Sequence, residues 1–339
     1  MGQTASQIDF GTFRSMLLDP GVPDRSIAPY LTGDPARSRA FGPHIVADPA
    51  RVKQPPGLNP AMRTTSALAG LNDIAAWRRQ EHFRLAPPND PRPVIVAEGD
   101  SWLQFPFLLD DVVDQLAPQW RVWCVSAAGD TLANMIYGAP EYLTALRAPG
   151  TENARAFLFS GTGNDFIGDE NGLSVIPSLL RPYTAGKSAQ WYIDTPRFRE
   201  RKAFVREALD QLLTEVALHV PGRRVVLVGY DYVRPFEGEG DPRPRVVYAR
   251  RDQWLTGPMT RQLGIMDPLT RRQIAAAMID ELHAILAELC GGNTATGKHR
   301  HGYHADTRNT LPSLTDWNDE IHPTDDGFAR IAARIARWL

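Results

Sequence analysis

Val94-Ile95-Val96-Ala97-Glu98-Gly99-Asp100-Ser101-Trp102 is the stretch on which the fold turns. Val94 to Ala97 form an unbroken apolar run, mostly β-branched, which predicts a strand buried on both faces. The polar run behind it leaves that strand at its carboxyl end. Working outward, the same pattern recurs. Phe107 to Leu116 predicts a helix, with Leu108, Leu109, Val112, Val113 and Leu116 at helical spacing, and Val122 to Ala127 a second strand. Helical stretches at 131–137 and 140–147 precede a third strand, Ala156-Phe157-Leu158-Phe159. A helix over 198–219 leads to a fourth strand, Val225 to Gly229, and a helix over 268–290 to a weak fifth near 302–306. A last helix runs from about 325 to the C-terminus. Apolar strands alternating with helices predict an α/β, doubly wound architecture: a mostly parallel sheet of about five strands, covered on both faces. In such sheets reactive groups gather at the carboxyl edge of the strands.

Upstream of Pro93 the texture is different. Residues 1–93 hold 13 of the 28 prolines, with breaks at Asp34-Pro35, Gly42-Pro43, Pro55-Pro56-Gly57 and Pro87-Pro88. Only 62–84 is free of proline for long enough to carry a helix. Phe10, Phe13, Met16, Leu17, Leu18, Ile27, Tyr30, Leu31 and Phe41 are too apolar for a flexible tail. Residues 1–92 therefore read as an irregular, proline-rich extension with one helix, packed on a domain spanning 93–339. Two inserted stretches, near 168–197 and 231–267, interrupt that domain.

Composition narrows the function. The chain has 339 residues, 43% hydrophobic and 22% charged, with 37 basic against 39 acidic side chains and a net charge of −2. That is a globular composition without the basic excess of a dedicated nucleic-acid binder. No apolar run is long enough for a transmembrane helix. Cys124 and Cys290 allow at most one disulfide. Met1 to Ser6 lacks the features of a secretory signal, which favours a cytoplasmic location. The same start fits the loose acylation pattern M-G-x-x-x-[ST], a motif short enough for coincidence to supply.

Several familiar motifs are absent: G-x-S-x-G, H-E-x-x-H and a paired C-x-x-C. Gly186-Lys187-Ser188 lacks the first glycine of a phosphate loop, because Arg181 stands there. Four polar blocks stand out instead. After the first three predicted strands come Glu98-Gly99-Asp100-Ser101-Trp102, Ser126-Ala127-Ala128-Gly129-Asp130-Thr131 and Ser160-Gly161-Thr162-Gly163-Asn164-Asp165. Before the last helix comes Trp317-Asn318-Asp319-Glu320-Ile321-His322-Pro323-Thr324.

In these blocks the chain resembles the SGNH or GDSL-type serine hydrolases, esterases and lipases. They carry G-D-S after the first strand, a glycine after the second, G-x-N-D after the third and D-x-x-H near the C-terminus. The resemblance spans residues 93–339 and implies a flavodoxin-like three-layer sandwich. It implies catalytic roles for Ser101, His322 and Asp319, and an oxyanion hole formed by the Ser101 and Gly129 backbone N–H groups with the Asn164 amide. Two departures are visible: Trp102 replaces the leucine of the eponymous motif, and Thr162 fills the first position of G-x-N-D, with Gly161 one residue earlier.

The chemistry of these residues fits independently. A serine hydroxyl needs a base, which His322 can be, and Asp319 three residues earlier can fix its tautomer. Pro323 biases His322 toward an extended backbone, and Phe328, Ile331, Ala332 and Ile335 give the closing helix an apolar face. Ser101 is expected to open a helix whose dipole favours an anion. Asp100 and Asp165 are expected to hold their loops. Trp102, Phe105 and, from the first insertion, Trp191 are candidates for a substrate pocket. The insertions also carry Tyr192, Tyr232, Phe236 and Trp254.

His299-Arg300-His301-Gly302-Tyr303-His304 reads as a polar loop, and no metal or organic cofactor is expected. Asp306 is expected to make structural hydrogen bonds, and His283 to lie in the core or on the surface. The expected activity is hydrolysis of a carboxylic ester or thioester through an acyl-enzyme on Ser101, the substrate being a small-molecule, lipid or carbohydrate ester. The alternatives are acyl transfer to a sugar or alcohol at the same site, or a non-catalytic binding module. Acyl chain length, leaving group and oligomeric state stay open.

Overall fold

Five strands build one parallel sheet: β1 (Val94–Gly99), β2 (Arg121–Cys124), β3 (Ala156–Ser160), β4 (Arg224–Val228) and β5 (Gly302–Ala305). Their spatial order is β2-β1-β3-β4-β5, with Ile95 opposite both Val122 and Ala156, and Val225 opposite both Phe157 and Gly302. This is the flavodoxin-like order, in which the chain reverses direction between β1 and β3 and leaves a crevice at their carboxyl ends. Every residue of β3 is buried, as a strand covered on both faces requires. The computed structural model describes residues 7–34, 37–38, 43–53, 68–170, 172–244, 246, 248 and 250–339. The acylation-like start, Phe41, the Pro55-Pro56-Gly57 break and residues 62–67 lie outside the described residues.

Four long helices flank the sheet: α1 (Leu68–Arg84), α2 (Pro196–His219), α3 (Pro268–Leu289) and α4 (Asp325–Ile335). Three begin on side-chain caps. Thr195 accepts from Phe198 N and Asp267 from Thr270 N, each with proline at the first helical position, and Thr324 accepts from Gly327 N. In α4 the predicted apolar face, Phe328, Ile331, Ala332 and Ile335, is buried. Among the described residues no helix is long and apolar enough to cross a membrane. Cys124 and Cys290 are both free and buried.

The expected helix over 107–116 shrinks to Val112–Leu116. Pro106 and the positive φ of Phe107 (62°) break its first half. Asp111 then starts the helix late, its side chain accepting from Val113 N and Asp114 N. Ser101 likewise lies in a turn and not at the head of a helix, so the expected dipole contribution falls away.

Residues ahead of Pro93 supply small pieces. A nine-residue helix, Phe10–Leu18, is capped by Asp9; Ile8–Asp9 pairs with Val52–Lys53, and Leu31–Gly33 with Ile45–Ala47. Two successive arginines of α1 face opposite ways. Arg78, 4% exposed, donates to the carbonyls of Met16, Leu17, Asp19 and Val22 and to the Asp24 carboxylate. Arg79 pairs with Asp111 and Asp114 at 2.7 and 2.8 Å. One helix thus ties the N-terminal pieces to the sheet domain through the terminal guanidinium nitrogens of two neighbouring arginines.

Candidate active site

Ser101 sits in the turn that leaves β1, and Asp100 holds that turn from both ends. The Asp100 carboxylate accepts from Trp102 N (3.0 Å) and the Tyr230 hydroxyl (2.5 Å), while its carbonyl accepts from Leu103 N and Gln104 N (both 3.0 Å). Tyr230 Oη also accepts from Thr162 N (3.1 Å) and Gly163 N (3.0 Å), so one phenol joins the loops after β1, β3 and β4. Burial pushes the Asp100 carboxyl up to about 6, against the lowering effect of the Tyr230 bond. Asp165, pushed up to about 6 by burial, accepts from Leu132 N at 2.9 Å and fixes the loop after β2 to that after β3.

Before α4 the chain brings an imidazole to the same edge. Ser101 Oγ lies 2.8 Å from His322 Nε2, and His322 Nδ1 lies 2.8 Å from Asp319 Oδ2. All three side chains are buried. Asp319 Oδ1 accepts from the backbone N–H groups of Ile321 (2.8 Å) and His322 (2.7 Å), and Oδ2 also accepts from the Tyr248 hydroxyl (2.7 Å). Burial alone would raise the Asp319 carboxyl; the His322 ring and these hydrogen bonds hold it below the usual carboxylate range. Tyr248 is buried beside that carboxylate, and both effects push its phenol well above its ordinary value, so it remains a donor. With Asp319 accepting at Nδ1–H, the His322 lone pair is on Nε2, aimed at Ser101.

The other two predicted positions face the same space. Gly129 has φ 84°, a left-handed backbone that glycine adopts without strain. The neighbouring Ala128 is clamped by Asn72 of α1, which donates to its carbonyl (2.9 Å) and accepts from its N–H (3.0 Å). Asn164 Nδ2 donates to Asp130 O at 2.7 Å, which orients the amide and uses one of its two hydrogens.

Ser101, Gly129, Asn164 and His322 all line a cleft of about 560 Å³ whose remaining wall is largely apolar. Phe105 is part of that wall and packs edge-on to His322, ring centroids 4.7 Å apart. Trp102 is not: its indole donates to Ile321 O (3.1 Å), packs on Tyr230 and Phe328, and lines an adjoining cavity of about 530 Å³. Trp191 lines neither space; it lies among Tyr192, Arg181 and Lys187.

The cleft also takes residues that sequence reasoning missed. Pro43, Ile45 and Leu71 reach it from the N-terminal pieces and α1, and Tyr248 from the second insertion. Trp254 of that insertion stands edge-on to His322 at 5.7 Å. The buried Glu320 carboxylate anchors the segment, accepting from the backbone N–H groups of Phe236 (3.0 Å), Trp254 and Leu255 (both 2.9 Å) and Thr256 (2.8 Å). Arg243 adds a bond to Asp319 O at 2.8 Å. Glu320 stands between Asp319 and His322 and carried a readable signal as an acid in the block; Tyr248 had none.

No protein family profile matches this chain, and no curated protein matches it in sequence. Solved structures do resemble it. Phospholipase A1 from Streptomyces albidoflavus NA297 overlaps with a TM-score of 0.45 at 15% identity, over 73% of this chain and 100% of that one. The extracellular lipase from Streptomyces rimosus gives 0.42 at 15%, over 72% and 98%. A salicylyl-acyltransferase from a tetracycline biosynthetic pathway gives 0.37 at 11%, over 74% and 55%. These are partial overlaps of backbone, and the chemistry proposed below rests on the geometry around Ser101.

Proposed function

We propose that this protein is a serine hydrolase that cleaves carboxylic esters with an apolar acyl group, through an acyl-enzyme on Ser101. The observation that carries the reading is the continuous hydrogen-bonded chain Ser101 Oγ, His322 Nε2, His322 Nδ1, Asp319 Oδ2, both links 2.8 Å, at the wall of an apolar cleft. His322 takes the Ser101 proton as the hydroxyl attacks the ester carbonyl, and Asp319 stabilises the imidazolium. The tetrahedral oxyanion is met by the backbone N–H groups of Ser101 and Gly129 and by the second hydrogen of the Asn164 amide. Such donors are each worth about 10²–10³ in rate. His322 returns the proton to the leaving alkoxide, then activates the water that frees the acid. Phe105, Trp254 and Ile45 hold the acyl chain away from solvent.

The test is covalent labelling by a fluorophosphonate probe together with hydrolysis of p-nitrophenyl esters. The native chain should label at Ser101, and Ser101→Ala should lose labelling and at least about 10⁴-fold of kcat. Labelling that persists in Ser101→Ala would refute the nucleophile. A panel of acyl chain lengths should show kcat/KM rising from acetyl to longer chains, since each methylene buried in the cleft contributes about 0.8 kcal/mol.

A further inference from the structure

The polar stretch that ends in His304 divides into two groups, one bonded to α2 and one turned to α3. His299 Nε2 pairs with Asp210 (2.6 Å), and His301 bonds Leu213 O (2.9 Å), both partners on α2. His304, inside the strand, turns to α3 instead. Its Nε2 lies 2.8 Å from Nδ1 of His283, and Asp306 Oδ1 lies 3.3 Å from that same Nδ1. The three ligand atoms all fall within 4.8 Å of one another. The sequence reading lacked a carboxylate for this stretch; Asp306 supplies it as β5 ends, and α3 supplies the second imidazole.

The hydrogen bonds around the group determine what it can hold. Tyr230 O can only accept, and it lies 2.8 Å from His283 Nε2, so the proton of a neutral His283 is on Nε2. Nδ1 is then a lone pair, and it faces the Asp306 carboxylate. His304 Nε2 faces the same lone pair at 2.8 Å, so the ring nitrogens and the carboxylate oxygen converge on one small space. A metal ion satisfies all three atoms at once, with His304 carrying its own proton on Nδ1.

The surroundings are built to hold these residues still. A Cβ at Gly229 would come within 2.3 Å of His283 Cε1, so the ring fills a space that only glycine leaves open. Asn293 clamps the His304 backbone with two bonds, 2.8 and 2.9 Å. Arg334 donates to Asp306 O (2.6 Å). Arg308 holds the Asp306 carboxylate at Oδ2 (2.6 Å) and, through its backbone N–H and Nε, at Oδ1 (3.0 and 3.1 Å), and its charge is shared with Asp280 (2.7 Å). A ligand imidazole with its other nitrogen on a carbonyl and a carboxylate that is itself hydrogen-bonded are the usual supports of a metal site.

We propose that His283 Nδ1, His304 Nε2 and Asp306 Oδ1 form a site for a divalent transition metal of the zinc class. Two imidazoles and one carboxylate suit Zn²⁺ and disfavour Mg²⁺ and Ca²⁺, which prefer all-oxygen sets. The site supports Tyr230 from behind: His283 holds the Tyr230 carbonyl, and the Tyr230 hydroxyl holds Asp100 beside Ser101. Its role is to stiffen that connection, not to enter the chemistry.

The test is metal binding by the full chain after chelator treatment and dialysis. Calorimetric titration with ZnCl₂ should show one equivalent bound and a raised Tm, and Co²⁺ should give the visible absorption of a four-coordinate site. Asp306→Asn, at the half-exposed edge, and His304→Gln should each weaken that binding at least about tenfold. Both are to be compared by circular dichroism with the metal-free native chain. No stoichiometric uptake, or uptake that both variants leave unchanged, would overturn the site. The readout is independent of ester hydrolysis, so it stands or falls apart from the role of Ser101.

Discussion

Two buried imidazoles in this molecule each lie beside an aspartate, and they are turned opposite ways. His322 meets the Asp319 carboxylate through Nδ1 and leaves Nε2 at the cleft, 2.8 Å from Ser101 Oγ. His283 meets a backbone carbonyl through Nε2 and turns Nδ1 inward to His304 and Asp306. A carboxylate behind the ring stabilises the imidazolium, so His322 is equipped to take and return a proton. A carbonyl fixes the tautomer and offers no full charge, so His283 is equipped to offer a lone pair and keep it. The partner of one nitrogen decides the work of the other.

The largest effect should come from breaking that distinction at His322. In Asp319→Asn, the amide can present a donor to Nδ1 and drive the imidazole proton to Nε2, where Ser101 needs a base. We expect kcat for p-nitrophenyl esters to fall about 10⁴-fold. Zn²⁺ uptake should not change. A loss under tenfold would mean that another group orients His322.

The residue that connects the two imidazoles comes next. Tyr230→Phe removes the donor to Asp100 and the acceptor of Thr162 and Gly163 N–H, all in the interior. Unpaired buried groups cost about 1–3 kcal/mol each, so the denaturation midpoint should drop clearly. Activity should fall about 10- to 100-fold as the Ser101 and Asn164 loops lose their common support. The metal site should keep its affinity, because His283 bonds the Tyr230 backbone.

Carboxylates sharpen the comparison through pH. Asp319, with an imidazole beside it, sits below the usual range, so its contribution to stability is present above about pH 4 and is lost as pH falls through its folded value. Asp165 has burial as its largest influence and no such neighbour, and its carboxyl rises from 3.8 to about 6. The native state therefore binds the Asp165 proton more tightly than the unfolded chain, and stability is lost as pH rises from about 4 through about 6. Asp165→Asn keeps an acceptor for Leu132 N and removes that loss. Relative to the native chain, its unfolding free energy from urea titration should rise more at about pH 7 than at about pH 4, by up to about 3 kcal/mol. An equal shift at both would refute the buried charge.

The sheet was legible in the sequence because parallel strands buried on both faces are short apolar runs, readable without knowing their partners. The groups gathered in the cleft were legible for a related reason: they follow those strands directly, and the strand order brings the ends of β1 and β3 together. Contacts set by distant parts of the chain were not. Tyr248 reaches Asp319 across 71 residues, and His283 reaches His304 across 21, from a helix where a buried histidine looks like any core residue. The late start of the helix at Val112 had its signal in Pro106, outweighed in the reading by the apolar spacing around it.

Trp191 and Ile45 set the smallest effect against a readable one. Trp191 was a pocket candidate because it is an aromatic in an inserted stretch; in the structure it packs with Arg181 and Lys187 and touches neither space beside Ser101. Ile45 carried no sequence signal, yet it is 2% exposed and lines the cleft. Ile45→Ala should therefore raise KM for longer acyl esters more than for acetyl esters, with kcat on acetyl nearly unchanged, because it removes apolar wall and no reacting group. Trp191→Ala should change kcat/KM less than about twofold for every chain length and cost about 0.5–1 kcal/mol of stability through its cation contacts. If the two variants exchanged these signatures, the acyl chain would have to lie against the first insertion, and the N-terminal pieces would be scaffold alone.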